Sequence, residues 1–192
     1  MRRVVLLAVL ALALPMLTWA DSQIGVTNKG GTITGNSSGL SLSGSAMIAY
    51  GSAVGSNLGS VSFTTGAFVS GDPQNGGVLA AGGTFTITGN GTNGVPNGVL
   101  FTGTFDAGTK WTLVTLSNGT HNYRLEATIT SSNGVGGTTV QLTVNTGKGF
   151  FNGSANLESG DTSLTVPEPG TLGLLGTGLV GLAGLLRRKP RN

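Results

Sequence analysis

Side chains able to perform acid–base, nucleophilic or metal chemistry are scarce in this sequence. The 192 residues include one histidine, no cysteine and seven acidic residues. The histidine, His121, directly follows an Asn118-Gly119-Thr120 turn, a position that predicts a solvent-exposed side chain rather than a catalytic one. One histidine without cysteine supplies too few ligands for a zinc site. The sequence therefore assigns no catalytic, cofactor-binding or metal-binding residue, and it predicts no cofactor.

Carboxylates are the remaining groups that could support a binding site or hydrolysis. Oxygen ligands for calcium could come from Asp72, Asp106, Glu158 and Asp161, but their spacing matches no known calcium-binding loop. A pair of acids could also hydrolyse glycosidic bonds. Only six acids are spread over residues 21–166, and this low density argues against such a pair.

Aromatic residues and glycosylation sequons give weak indications of a role with carbohydrates. Core packing is the favoured interpretation for the aromatic residues, because a β-rich domain with so few of them needs them inside. The Asn-x-Ser/Thr sequons fit glycosylation, but they arise readily in a chain rich in Gly, Asn, Ser and Thr. The aromatic candidates for sugar stacking are Trp111, Tyr123, Phe150 and Phe151, and the sequons begin at Asn36, Asn90, Asn118 and Asn152.

The elements that must position these side chains are predicted to be β-strands. Apolar and polar residues alternate with a period of two, and Asn-Gly turn signals separate the runs. The clearest runs are Thr84–Thr88, Val99–Phe105, Tyr123–Thr130 and Val140–Val144, and the weaker ones are Gly31–Thr34, Leu40–Ser43, Val61–Thr65 and Trp111–Leu116. This pattern predicts an all-β domain, folded as an antiparallel β-sandwich or a barrel-like sheet.

Packing within this domain is predicted to be uneven. The alternation is cleanest in residues 84–144, which should hold the sheet core, and it places Val99 on the same face as Phe101 and Phe105. Residues 21–60 are the poorest in large apolar side chains, which predicts loose packing there. Because the chain has no cysteine, its stability must come from packing and strand pairing rather than from disulfides.

The N-terminus has the three parts of a secretory signal peptide. Two arginines precede an 11-residue apolar core, Val4–Leu14, and Pro15 ends that core. Small residues then stand at positions −3 and −1 of a cleavage site. Cleavage is predicted between Ala20 and Asp21, so that residues 1–20 form the signal peptide.

The C-terminus combines a stiff motif, an apolar segment and a basic end. Pro167 and Pro169 have fixed φ angles, and they push the residues before them, Val166 and Glu168, into extended geometry. Residues 171–186 carry no charge and would span about 24 Å as a helix. This length is short of the roughly 30 Å bilayer core, but snorkelling basic side chains can cover the deficit. A single transmembrane helix is predicted, held at its cytoplasmic end by Arg187, Arg188 and Lys189.

This arrangement resembles the C-terminal sorting signal of PEP-CTERM proteins, in which Val-Pro-Glu-Pro precedes one transmembrane segment and an arginine-rich end. The resemblance covers Val166–Asn192 together with the N-terminal signal peptide. It implies that Pro167, Glu168 and Pro169 are recognised by exosortase, a membrane enzyme of Gram-negative bacteria that make exopolysaccharide. It also implies that the tail can be removed. A sortase signal would need Leu-Pro-x-Thr-Gly, and a glycolipid-anchor signal would end in apolar residues, so both are disfavoured.

Removing both ends reverses the charge of the molecule. The whole chain has a formal net charge of +3, but six of its ten basic residues lie in the two terminal segments. The exported part, residues 21–166, has four basic and six acidic residues, and therefore a net charge of −2. It carries no basic patch, which argues against a nucleic-acid partner.

The sequence thus predicts a signal peptide (1–20), an exported β-rich domain (21–166) and a sorting signal (167–192). It favours a protein without enzymatic activity that is anchored in the inner membrane during sorting and then reaches the cell surface or extracellular matrix. The expected role is structural or adhesive in the exopolysaccharide of a biofilm, with exosortase, the inner membrane and the exopolysaccharide as partners. The alternative is an extracellular carbohydrate-active enzyme or carbohydrate-binding module on the same scaffold. Carboxylates clustered in a cleft would favour the alternative, and scattered acids would favour the structural role.

Overall fold

Alternating apolar residues and frequent turn residues produce an all-β domain, as predicted. A computed structural model describes residues 22–132 and 138–166, and within them every regular element is a strand. Residues 23–165 form one compact unit. The strands are β1 (Ser22–Lys29), β2 (Thr32–Asn36), β3 (Gly39–Tyr50), β4 (Ala53–Thr65), β5 (Phe68–Asp72), β6 (Gly76–Leu79), β7 (Gly82–Asn90), β8 (Asn97–Phe105), β9 (Thr109–Thr115), β10 (His121–Ser131), β11 (Thr138–Asn145) and β12 (Ser154–Val166).

The strands form one antiparallel sheet whose backbone pairings close on themselves. The closed circuit runs β2–β3–β4–β7–β8–β10–β11–β12 and returns to β2. Two long strands make the closure possible by changing partners along their length. β10 pairs with β9 through residues 121–126 and with β8 through 129–131, while β12 pairs with β2 through 154–156 and with β11 through 157–164.

The remaining strands extend this circuit. β9, β6 and β5 continue the sheet outward from β10, and β5 is the last strand in that direction. β1 lies beside β12 and also pairs with β3, from Val26 opposite Tyr50 to Lys29 opposite Ala46. The first strand of the domain is therefore next to its last strand.

Asparagine side chains accept backbone hydrogen bonds within three of the turns between strands. The Oδ1 atoms of Asn36, Asn90 and Asn118 accept hydrogen bonds from the backbone N–H two residues further on, at 2.8, 3.2 and 3.0 Å. Asx turns of this kind favour Asn followed by Ser, Thr or Gly. Three of the four predicted sequons are thereby accounted for as turn chemistry, because the same asparagines begin them.

The inward faces of the strands meet in one continuous core. Four phenylalanines from β4, β7 and β8 pack with ring centroids 5.5–6.3 Å apart. A second aromatic group, formed by Trp111, Tyr123 and Phe151, packs at 5.2–5.8 Å and is also buried. The predicted inward positions of β7, β10 and β11 are confirmed, since Phe85, Leu125 and Leu142 are all fully buried. The four phenylalanines are Phe63, Phe85, Phe101 and Phe105.

Two expectations about packing are wrong. Val99 is 60% exposed, although Phe101 and Phe105 are buried, because the register between β7 and β8 shifts at Ile87/Thr88 and breaks the alternation. Residues 21–60 are not loosely packed, since six of their large apolar side chains are buried, although Val54 is 73% exposed. The buried ones are Val26, Ile33, Leu40, Leu42, Met47 and Leu58.

The predictions for the two ends of the chain fall outside the described residues. They comprise the signal peptide, its cleavage between Ala20 and Asp21, and the motif residues after Val166. They also comprise the membrane segment 171–186 and the basic stop. Among residues 22–132 and 138–166, no helix is long and apolar enough to cross a bilayer.

Candidate functional site

A groove of about 870 Å³, lined by both polar and apolar surface, runs across the outer face of the sheet. Its floor is formed by β10, β11 and β12, and its walls by β1 on one side and the β8–β9 turn on the other. Five short segments of the chain line it. The segments are 25–27, 106–110, 126–128, 139–141 and 161–163.

Strand register places four polar side chains in one row across this face. Lys110 of β9 is opposite Glu126 of β10, Glu126 is opposite Gln141 of β11, and Gln141 is opposite Asp161 of β12. All four residues are exposed. Because neighbouring strands lie about 4.8 Å apart, the backbones of Glu126 and Asp161 are separated by about 10 Å. The next row, Thr128–Thr139–Ser163, adds three hydroxyl groups.

Each carboxylate of the groove has a partner that orients it. Thr27 Oγ1 donates to Asp161 Oδ1 at 2.9 Å, and Thr130 Oγ1 donates to Asp106 Oδ1 at 2.7 Å. Glu126 pairs with Arg124 at 3.4 Å, but both side chains are 47% exposed. A surface ion pair of this kind contributes about 0–1 kcal/mol, so it orients Glu126 more than it stabilises the fold.

The groove suits hydrogen bonding better than proton transfer. A catalytic carboxylic acid needs burial or a like charge nearby to remain protonated near neutral pH. Glu126 and Asp161 are instead open to solvent, and Asp161 accepts a hydrogen bond from the Thr27 hydroxyl. Carboxylate, amide and hydroxyl groups in rows are the partners that sugar hydroxyls use. Within the described part of the chain, no three His, Asp or Glu residues come close enough to hold a metal ion.

The grouping of acids was not apparent in the sequence. Asp106, Glu126 and Asp161 line the groove, whereas Asp72 and Glu158 do not. Alternation along β10 indicated that Glu126 is exposed, but its neighbours across the sheet depend on the register of three other strands. The alternation within one strand indicates which face each side chain lies on, but it does not identify the residues that lie opposite on the other strands.

His121 is buried, and the expectation of a solvent-exposed histidine is wrong. It is the first residue of β10, is only 9% exposed, and stacks on Phe150 with ring centroids 4.2 Å apart. Its Nδ1 lies 3.0 Å from Thr115 Oγ1. Because the Phe150 ring covers the imidazole and a strand hydroxyl engages one nitrogen, His121 has a packing role.

The aromatic residues considered for sugar stacking lie mainly in the core, as predicted. Trp111 Nε1 donates to the Pro73 carbonyl at 2.8 Å, and Tyr123 Oη donates to the Gln74 carbonyl at 2.6 Å. These bonds hold the β5–β6 turn against the core. Phe150 alone of the four is exposed, at 47%, and it does not line the groove.

Comparison with known proteins identifies the C-terminal segment. Residues 165–189 match the PEP-CTERM protein-sorting motif, which confirms the resemblance drawn from the sequence. The match begins within the last two residues of β12. No curated protein and no solved structure matches the chain.

Proposed function

We propose that this chain, which carries a PEP-CTERM sorting motif at residues 165–189, has a structural or adhesive role in the exopolysaccharide of a Gram-negative biofilm. The motif implies a secreted protein that exosortase sorts through the membrane to the cell surface. That match is the observation that carries the proposal. In this proposal the signal peptide 1–20 directs export, residues 171–186 anchor the intermediate, and the exported domain remains in the matrix without enzymatic activity.

The surface chemistry of the exported domain supports a role in a hydrated polymer. Between residues 30 and 105 the single charged side chain is Asp72. The outer face there carries hydroxyl rows, one of which runs through Thr34, Ser41, Thr64 and Thr84 across four strands. An uncharged face rich in hydroxyl groups can exchange hydrogen bonds with water and polysaccharide at little cost, because both offer similar partners.

Replacing the sorting motif tests this proposal. Alanine at Pro167, Glu168 and Pro169 removes two fixed φ angles and one charge, but it leaves the apolar segment and the basic end intact. We expect the mutant to insert and to accumulate at full length in the inner membrane, while the wild type is processed and reaches the matrix. The measurement is a size shift combined with fractionation, in a host with exosortase and in one without it.

A control variant separates motif recognition from a general loss of proline. Pro96→Ala removes an exposed proline of the folded domain, outside the motif. It should be processed like the wild type. Processing and release of the triple alanine mutant at the wild-type level would contradict sorting through this motif.

The groove favours a second candidate, a carbohydrate-binding module or carbohydrate-active enzyme. Glu126 and Asp161 face the same groove about 10 Å apart at the backbone, which is compatible with a pair of acids on either side of a glycan. Glu126→Gln and Asp161→Asn should each abolish hydrolysis if the protein is an enzyme. They should weaken binding by about three- to tenfold if it is a binding module, since each removes a charge-assisted hydrogen bond.

A matched control for these variants lies on the same strand. Glu158→Gln removes an equal charge from β12 at an exposed position outside the groove, and it should leave binding and hydrolysis unchanged. The assay measures pull-down on insoluble polysaccharides and release of reducing sugar from them. If the wild-type domain neither binds nor hydrolyses any of these polysaccharides, the second candidate is excluded and the structural role remains.

A further inference from the structure

The last strand of the exported domain is an internal part of the sheet. β12 pairs with β11 from Val144–Leu157 to Thr138–Leu164, and with β2 from Ser154 to Asn156. β1 lies on its other side. β12 therefore closes the circuit of strands, and its end cannot leave the sheet without loss of backbone hydrogen bonds.

The inward-facing side chains of β12 are buried in the core. Leu157, Thr162 and Leu164 are each at most 3% exposed. Gly160 lies so close to Leu142 and Asn28 that an added Cβ would overlap both side chains. Near the end of the strand, the Thr138 hydroxyl donates to the Ser163 carbonyl. The strand is thus anchored up to Leu164.

The sorting motif follows this anchored strand without a linker. The family match begins at residue 165, one position after Leu164, which is 1% exposed. Pro167 is three positions after Leu164, and a fully extended chain spans that distance in about 10 Å. Pro167 has no N–H and cannot donate a backbone hydrogen bond to a neighbouring strand.

We infer that the folded end of β12 restrains the sorting motif, so that exosortase gains full access to it only when the last pairs of β12 open. The inference rests on the proposed sorting by exosortase. A membrane enzyme that grips the extended Val166–Pro169 peptide also meets the residues just before it, and those residues are held by Thr138 and Thr139 of β11. Processing is therefore fast while the domain is unfolded and slow once β12 has joined the sheet.

Insertion of a spacer tests the restraint directly in the full-length chain. A Gly-Ser-Gly-Ser-Gly-Ser spacer between Thr165 and Val166 keeps the motif, the apolar segment and the basic end in their order. It adds about 20 Å of flexible chain between β12 and the motif. In pulse-chase labelling of an exosortase host, we expect the full-length form to disappear about tenfold faster, because opening of the last pairs is no longer required.

The same spacer in an exposed turn is the matched control. Placed between Asn118 and Gly119, it lengthens a surface turn and should leave the processing rate at the wild-type value. Equal rates for the wild type and the Thr165–Val166 insertion would overturn the restraint. If the wild type itself is not processed by exosortase, the proposed sorting fails, and the inference fails with it.

Point variants distinguish opening of β12 from unfolding of the whole domain. Leu164→Ala loosens the end of β12 and should speed processing, whereas Val61→Ala removes a buried side chain of β4 outside β12. Amide hydrogen exchange of the two full-length variants should be faster at Ser163–Thr165 in Leu164→Ala alone. Equal acceleration of processing by both variants would show that global unfolding sets the rate, and it would overturn the inference.

Discussion

Single residues decide how closely the strands of this domain approach one another. The glycine at position 160 leaves room for the buried carboxamide of Asn28, whose Nδ2 donates to Ser45 Oγ at 2.7 Å. It also leaves room for Leu142 of the neighbouring strand. The need for a small residue at position 160 cannot be recognised from the apolar/polar pattern of the sequence. A larger residue there would nevertheless disturb the core directly.

Gly160→Ala should destabilise the domain. The new Cβ would overlap Leu142 Cδ2 and Asn28 Oδ1, and overpacking of a tight core costs about 1–3 kcal/mol. Urea unfolding, compared with the wild type, measures the change. Gly25→Ala is the control, because a Cβ at Gly25 meets no atom within 4 Å. Equal midpoints for both variants would contradict the close packing at Gly160.

Asp72 should make stability depend on pH at the acid end. Hydrogen bonds from the Asn75 side chain and from the Asn75 and Gln74 backbone N–H groups lower the pKa of Asp72 below its ordinary value of 3.8. Since the folded pKa is the lower one, this stabilisation is complete above the unfolded pKa. It is lost as the pH falls through the folded pKa.

One substitution tests whether Asp72 causes this dependence of stability on pH. Asp72→Asn should unfold with a flatter dependence of its midpoint on pH below about pH 4 than the wild type. Identical curves for Asp72→Asn and the wild type would show that the hydrogen bonds to Asp72 do not stabilise the turn.

At the scale of elements, buried hydroxyl and indole groups join the β5–β6 hairpin to the main sheet. Tyr123 on β10 and Trp111 on β9 donate to two consecutive carbonyls of the turn, those of Gln74 and Pro73. The Tyr123 hydroxyl also accepts a hydrogen bond from the Phe151 N–H at 3.0 Å. One aromatic side chain thereby connects three segments that are distant in sequence.

Tyr123→Phe should loosen this connection. The Phe151 N–H and the Gln74 carbonyl would both lose a partner, and an unsatisfied buried group costs about 1–3 kcal/mol. Thermal unfolding should show the loss, and amide exchange should increase in the turn after Asp72. Tyr50→Phe is the control, since the partly buried Tyr50 makes neither bond. A loss no larger than that of Tyr50→Phe would contradict the role of the hydroxyl.

At the scale of the whole molecule, the domain is stabilised by a closed circuit of strand pairings around one core. It has no cysteine, so reductants can have no effect on it. Circular dichroism of residues 21–166 should show β structure and almost no helix. Thermal unfolding should be cooperative and identical with and without dithiothreitol. A helical or random-coil spectrum would contradict the fold.

Export should leave a mature protein that begins at Asp21. β1 starts at Ser22, so cleavage after Ala20 would leave the first strand complete. N-terminal sequencing of the envelope or secreted form measures the start directly. A protein that still begins at Met1 would show that Val4–Leu14 is retained as an anchor.

The sequence by itself determined what depends on local residue patterns. Alternation in Tyr123–Thr130 and Asn-Gly turns predicted an antiparallel all-β domain, and Val166–Pro169 with the segments behind it identified the sorting signal. These features lie within a few residues of one another, so strand propensity, turn geometry and the fixed φ of proline suffice to recognise them.

Only the tertiary structure decided what depends on the register between strands. It exposed Val99 through a bulge, buried His121 beneath Phe150, and placed Glu126 and Asp161 on the same groove. It also made β12 an internal strand directly before the motif. Residues paired across a sheet are distant in sequence, and their register is set by the packing of all strands together, so no local pattern encodes these contacts.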